Sequence, residues 1–213
     1  MMREKLKIYI IGSINQIFNA QYICDLPRMN HFPEEIQTVI RSKDFLNKIC
    51  LFSGYWKVSD CIENPKSLFL FGDNDLKRGK KGQAIIRDCV NTHGIPTKKF
   101  PSNNHDAYYS DDQYDENCKK IIMGFVTMIK KSSDYQEIAF PGDGFGTGLA
   151  QLGTKAPQTF AFLNTLIERY FGIDYQDILK NGLKMSLSES SGRAQELADA
   201  CDKASIAKNE KIE

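Results

Sequence analysis

The chain predicts an α/β layer fold, a buried sheet flanked by helices, and three observations carry that expectation. Short apolar runs, Ser67–Phe71 and Glu137–Pro141, alternate with segments of helical period. The clearest helical segment, Tyr114–Lys131, puts Ile121, Ile122, Phe125, Val126 and Ile129 on one face. The run ending at Pro141 then opens into Gly142-Asp143-Gly144-Phe145-Gly146-Thr147-Gly148-Leu149, where four glycines fall within seven residues. In folds of this class ligands sit beyond the C-terminal ends of the strands.

Taken in order, Lys7–Ile11 is β-rich and stops at Gly12-Ser13, which predicts a strand. Pro33-Glu34-Glu35 opens a helix, with proline in the first turn and acids at its positive end. Ile36, Val39, Ile40, Phe45, Leu46 and Ile49 approximate helical spacing, so residues 1–52 are expected as a helical or mixed N-terminal extension without chemistry. Residues 53–183 are expected to form the main domain. In it, Ser67–Phe71 ends at Gly72-Asp73-Asn74-Asp75, Gln83–Cys89 is a short helix, and Pro96 puts the strand Ile95–Lys98 at an edge. A polar loop over 102–112 carries Tyr108 and Tyr109. Ala156–Phe171 is the last strong helix, apolar at Phe160, Leu163, Ile167 and Tyr170. Residues 184–213, Ser-rich at 186–191, predict a polar tail, a marginal helix or disordered chain.

Composition narrows the function. A net charge of +1 gives no global field to draw nucleic acid or an acidic membrane. The tract Lys77-Arg78-Gly79-Lys80-Lys81 is a local exception, either a diphosphate-neutralising loop or a solvated one. Six cysteines (Cys24, Cys50, Cys61, Cys89, Cys118, Cys201) include no C-x-x-C pair, which fits reduced thiols better than a disulfide framework or a zinc site. His31, His93 and His105 are too scattered for a metal cluster, and no metal or cofactor is expected. No apolar run has the length of a membrane span, and Leu6–Ile11 is too short for a secretory signal. The expected compartment is cytoplasmic, with no membrane partner.

Glycine-rich backbone between a strand and a helix turns with positive φ and aims N–H groups at one spot, the mechanism of a phosphate-binding loop. The competing reading is a tight surface turn. Four strand-end segments accompany it: Ser59-Asp60; Gly72-Asp73-Asn74-Asp75 with Gly79 and Gly82-Gln83-Ala84; Gly94-Ile95-Pro96-Thr97-Lys98-Lys99; and the 142–148 loop itself.

With these residues together, the stretch 53–175 resembles the macrodomains, closest to those that release terminal ADP-ribose from modified acidic side chains. The combined pattern is also similar to small uncharacterised bacterial and phage proteins. The resemblance implies a three-layer α/β/α sandwich with a mixed central sheet. It implies that Asp60 accepts from the adenine amino group, and that Asp73, Asn74, Gly82 and Gln83 surround the distal ribose. It further implies that Gly142, Gly144, Phe145, Gly146, Thr147, Gly148 and Leu149 wrap the diphosphate. Thr97-Lys98-Lys99 matches a Thr-Lys-Lys strand whose lysine is the nucleophile, here Lys98. The chain departs from that subgroup at Ala150, where a catalytic aspartate stands, and Asp143 is the residue left as acid/base. Lys80 and Lys81 precede Gly82 where many macrodomains have further glycine.

Each assignment has a plainer competitor. Asp60 is equally a helix cap, and Asp73 and Asn74 are equally turn residues. Lys98 serves as a nucleophile only if burial or Lys99 strips its charge; otherwise it is a solvated edge lysine. Tyr108, Tyr109 and Phe145 either meet the ligand or pack. The expected function is binding of ADP-ribose or a related nucleotide, with hydrolysis of ADP-ribose from a modified macromolecule. Nucleic acid enters only as such a modified substrate. The alternatives are a non-catalytic ADP-ribose reader or nucleotide sensor, and a Rossmann-like nucleotide-processing enzyme.

Overall fold

The computed structural model describes residues 32–52 and 54–181. Pro33, at φ −51°, sets the entry to α1 (Glu34–Ile40), which buries Ile36 and Ile40. The helical run expected through Ile49 is broken by Ser42. Its Oγ accepts from the Phe45 amide at 3.2 Å and caps a second short helix, α2 (Lys43–Leu46). Ile49 then opens a strand, β1 (Ile49–Phe52). The continuous apolar run Ile-Cys-Leu-Phe suits a strand buried on both faces.

A four-stranded sheet forms from β1, β2 (Ser67–Asn74), β3 (Thr92–Lys98) and β4 (Glu137–Pro141), in the order β1-β4-β2-β3. Every pairing in it is parallel, with Leu51 opposite Phe140, Leu68 opposite Ile138 and Phe71 opposite Gly94. The described residues therefore form a parallel sheet, not the mixed one expected. The strand expected at Lys7–Ile11 lies outside them. Among the described residues β3 is an edge strand, the position that suits Pro96.

Side-chain alternation divides the sheet between two apolar clusters. Ile49, Leu51, Leu68, Leu70, Ile95, Ile138 and Phe140 face a large core shared with α1, α2, α4 (Tyr114–Lys131), α5 (Leu152–Lys155), α6 (Pro157–Phe171) and α7 (Tyr175–Asn181). Phe52, Phe69, Phe71 and Ala139 face a smaller one, closed by Trp56, Cys61 of α3 (Val58–Glu63), and Ala84 and Ile86 of a 3-10 turn (Gly82–Ile86). Among the described residues the layers are unequal, because the second face is covered by a six-residue helix and a 3-10 turn. The boundary expected after residue 52 falls at the end of β1, so the described part of the N-terminal segment belongs to this sheet and core. The tail expected at 184–213 lies outside the described residues.

Two tertiary devices fix the helices. Ala156 precedes α6 without a side-chain oxygen, so Asp111 caps that helix from a distance. Its carboxylate accepts from the Gln158 amide at 2.8 Å and from the Thr159 amide at 2.9 Å. Gly124 lets α4 lie against the edge strand, since a Cβ there would stand 2.7 Å from Pro96 Cδ.

Candidate functional site

β2 pairs with β4 only over Ser67–Phe69, and beyond that the two strands part. The connection after β2 leaves over one face through the 3-10 turn, and that after β4 leads to α6 on the other. This is the geometry of a switch-point crevice. Gln83 fills the split: its Oε1 accepts from the Gly72 amide at 2.7 Å, and its Nε2 donates to Asp143 Oδ1 and to Gly144 O, both at 2.8 Å. A Cβ on Gly72 would lie 3.6 Å from the Gly146 nitrogen, so the end of β2 abuts the glycine loop.

The loop after β4 is partly self-satisfied. The Gly142 amide donates to Phe52 O at 2.9 Å, the Gly144 amide to Pro141 O at 3.1 Å, and Thr147 Oγ1 to Asp143 O at 3.0 Å. Gly144 and Gly146 adopt φ of +76° and +75°. The backbone amides from Phe145 to Ala150 donate to no described residue. Phe145 itself is 1% exposed and packs against Phe125, Phe140 and Tyr175, so its side chain is core and not a ligand contact.

Beside the end of this loop lies a cavity of about 400 Å³. Its walls come from the end of β2 (Gly72, Asp73, Asn74), the 78–81 loop with Ala84, the end of β3 (Thr97, Lys98), the 101–103 loop, and Leu149 and Ala150. The lining is cationic: Arg78, Lys80, Lys81 and Lys98 face a single carboxylate, Asp73. That carboxylate is already neutralised, because Arg87 grips both of its oxygens, with Nη1 2.7 Å from Oδ2. Among the described residues only Lys80 of the four lining cations has an acidic partner, Asp88.

Lys98 is 7% exposed. Its Nζ donates to Leu149 O at 2.9 Å and stands 4.0 Å from the Tyr108 ring centre, which also faces Lys155 Nζ at 5.2 Å. A carbonyl and a ring face are weak company for a buried lysine head, and no described carboxylate pairs with it. Behind the pocket, Asp75 binds Tyr109 and Lys120. Burial, reinforced by the hydrogen bond to Asp75, pushes the Tyr109 phenol far above its ordinary pKa.

The cavity thus unites Asp73, Asn74, Lys98 and Leu149 of the expected site and adds the basic tract. Asn74 acts on the loop, its amide group bonded to both the N–H and the carbonyl of Arg78. Gly82, at φ +62°, lies under Leu149, and a Cβ there would meet Leu149 Cδ1 at 3.5 Å. Gly142, Asp143, Gly144, Gly146, Thr147 and Gly148 stay outside the lining, and Gln83 ties Asp143 and Gly144 to β2. Asp143 is exposed as a residue, yet desolvation of its carboxyl raises its pKa, against the lowering pull of Gln83.

Asp60 is not brought to the cavity. It is the third residue of α3, and its Oδ2 accepts from the Lys57 amide at 2.8 Å, which is the capping role. Arg87, Lys155, Ser102 and Asn103 escaped the sequence reading. No local spacing links Arg87 to Asp73, fourteen residues away, or Lys155 to the face of Tyr108.

Among the described residues no group of His, Cys, Asp and Glu could hold a metal ion, and no helix is long and apolar enough to cross a membrane. A family model described as a family of unknown function, DUF7831, matches residues 51–166, over half of the chain. The chain belongs to DUF7831. The matched range of this DUF7831 protein runs from β1 into α6 and includes every wall of the cavity. No curated protein and no solved structure matches it.

Proposed function

We propose that this DUF7831 protein binds ADP-ribose or a related nucleotide, with the ligand's phosphates in the cavity at the ends of β2 and β3. One observation carries the reading: among the described residues, four cations line a nucleotide-sized hollow whose single carboxylate is already paired. The amides leading to Ala150, which donate to no described residue, add donors at its rim. The macrodomain resemblance of the strand-end segments supports the same class of ligand. Calorimetric titration of the full chain with ADP-ribose tests it. Binding is expected, weakened about tenfold or more by Arg78→Ala with Lys81→Ala, as loss of two charge-assisted contacts implies. Absence of heat and of competition overturns the reading. A Rossmann-like enzyme would instead prefer a free mononucleotide in the same titration.

Hydrolysis of ADP-ribose from a modified protein or nucleic acid is the second reading, and Lys98 favours it, being a buried amine on the cavity wall. Against it stand Ala150 and the position of Asp143, which is linked to β2 through Gln83 and does not line the cavity. Binding without turnover is therefore the reading the geometry favours. Incubation with glutamate-linked and base-linked ADP-ribosylated substrates separates the two. Release by the native chain but not by Lys98→Ala establishes the hydrolase, and equal silence leaves the reader.

A further inference from the structure

The cavity lining is selective in what it omits. Among the described residues it contains no aromatic side chain, so a nucleobase inside it would find no described ring to stack on. The neighbouring tyrosines do not supply one: Tyr109 is 1% exposed, and the Tyr108 ring is engaged by Lys98 and Lys155. Nor does the lining offer a free carboxylate to accept from an exocyclic amine. Asp73 Oδ2 is held by Arg87, and Oδ1 accepts from the Asn74 amide at 2.6 Å. Asp60 lies elsewhere, capping α3.

What the lining does provide suits the other end of a nucleotide sugar. Arg78, Lys81 and Lys98 present donors with no acidic partner among the described residues, and Lys80 shares its ammonium with Asp88, a cationic wall suited to a phosphate. On the 101–103 wall stand a hydroxyl and a carboxamide. Ser102 Oγ accepts from the Asn104 amide at 3.1 Å, which leaves its O–H to donate. The Asn103 side chain bonds to no described residue and carries both donor and acceptor. Such a pair matches sugar hydroxyls, each of which donates and accepts.

We propose that the cavity recognises the phosphorylated-sugar end of its ligand and leaves any nucleobase in solvent, so that sugar phosphates and nucleoside-diphosphate sugars bind irrespective of base. The proposal rests on the reading of this cavity as a phosphate site, and it states which ligands that site accepts and by which end.

The test is a titration of the full chain with four compounds: ADP-ribose, its hypoxanthine counterpart, ribose 5-phosphate and adenosine. The two diphosphate sugars are expected to agree within about threefold, ribose 5-phosphate to displace them, and adenosine to do neither. A hypoxanthine compound bound about tenfold or more weakly, or displacement by adenosine, overturns base indifference while nucleotide binding stands. Binding of ribose 5-phosphate alone sinks the nucleotide reading and keeps the sugar-phosphate one. Silence from all four sinks both. Ser102→Ala with Asn103→Ala, the first half-buried and the second exposed, is expected to weaken ribose 5-phosphate about tenfold and to leave inorganic pyrophosphate unchanged. An unchanged affinity for ribose 5-phosphate would remove the sugar from the proposal.

Discussion

At the residue scale the decisive pair is Asp73 with Arg87. At the end of β2 the buried Asp73 carboxylate is clasped by a guanidinium from the 3-10 turn side, over the ring of Phe71. Removing the cation leaves a buried charge unpaired, which costs more than the pair contributes. Arg87→Ala is expected to lower unfolding stability by about 3 kcal/mol or more in a urea titration. A loss under about 1 kcal/mol would show that solvent reaches the carboxylate. Gly94 belongs to the same arrangement, since a Cβ there would collide with the Asp73 side chain. This explains a glycine in the middle of β3 that no turn requires.

At the element scale, two straps hold the glycine loop against the sheet: Gln83 at Asp143 and Gly144, and Lys98 at Leu149. Gln83→Ala frees the Gly72 amide and the Gly144 carbonyl together. Its expected effects are a loss of about 2 kcal/mol and faster amide exchange in the loop. The glycines of the loop are not equivalent. At Gly146, φ is +75° and a Cβ would stand 2.8 Å from Leu152 Cβ, whereas a Cβ at Gly148 meets nothing within 4 Å. Gly146→Ala is therefore expected to cost about 2 kcal/mol or more, and Gly148→Ala to fall within about 0.5 kcal/mol. Equal losses in chemical denaturation would mean that the loop is held otherwise. Gly148→Glu is accordingly the cleaner way to put a negative charge at the loop, and it should weaken an anionic ligand without unfolding the chain.

At the scale of the whole molecule, His93 couples stability to pH. Burial lowers its pKa from 6.5, outweighing the upward pull of its bond to Gly124 O, 2.9 Å from Nε2. The unfolded chain binds a proton below pH 6.5 that the fold resists, so this contribution is complete above 6.5 and is lost as pH falls through the lower, folded value. His93→Gln is expected to flatten the acid side of the stability profile relative to the native chain. Parallel profiles would assign the acid sensitivity to other groups.

The helix Tyr114–Lys131, the strand Glu137–Pro141 and the helix start at Pro157 were legible because their signals are local: a 3.6 period, a short apolar run, a proline at the first helical position. The break at Ser42 was missed because Ile36 to Ile49 mimic one period while a hydroxyl cap divides them. β2 was expected to end at Phe71 but runs to Asn74, since pairing with β3 carries polar residues the pattern had assigned to a turn.

By itself the sequence determined the α/β class, the edge position of Pro96 and the glycine loop after β4, all consequences of spacing and backbone freedom along one chain. Only the tertiary structure decided that the four described strands pair in parallel, that Asp60 caps a helix, and that the basic tract and Lys98 meet around one hollow. Strand order and charge pairing join residues far apart in the chain, and no local period records which distant partners will meet.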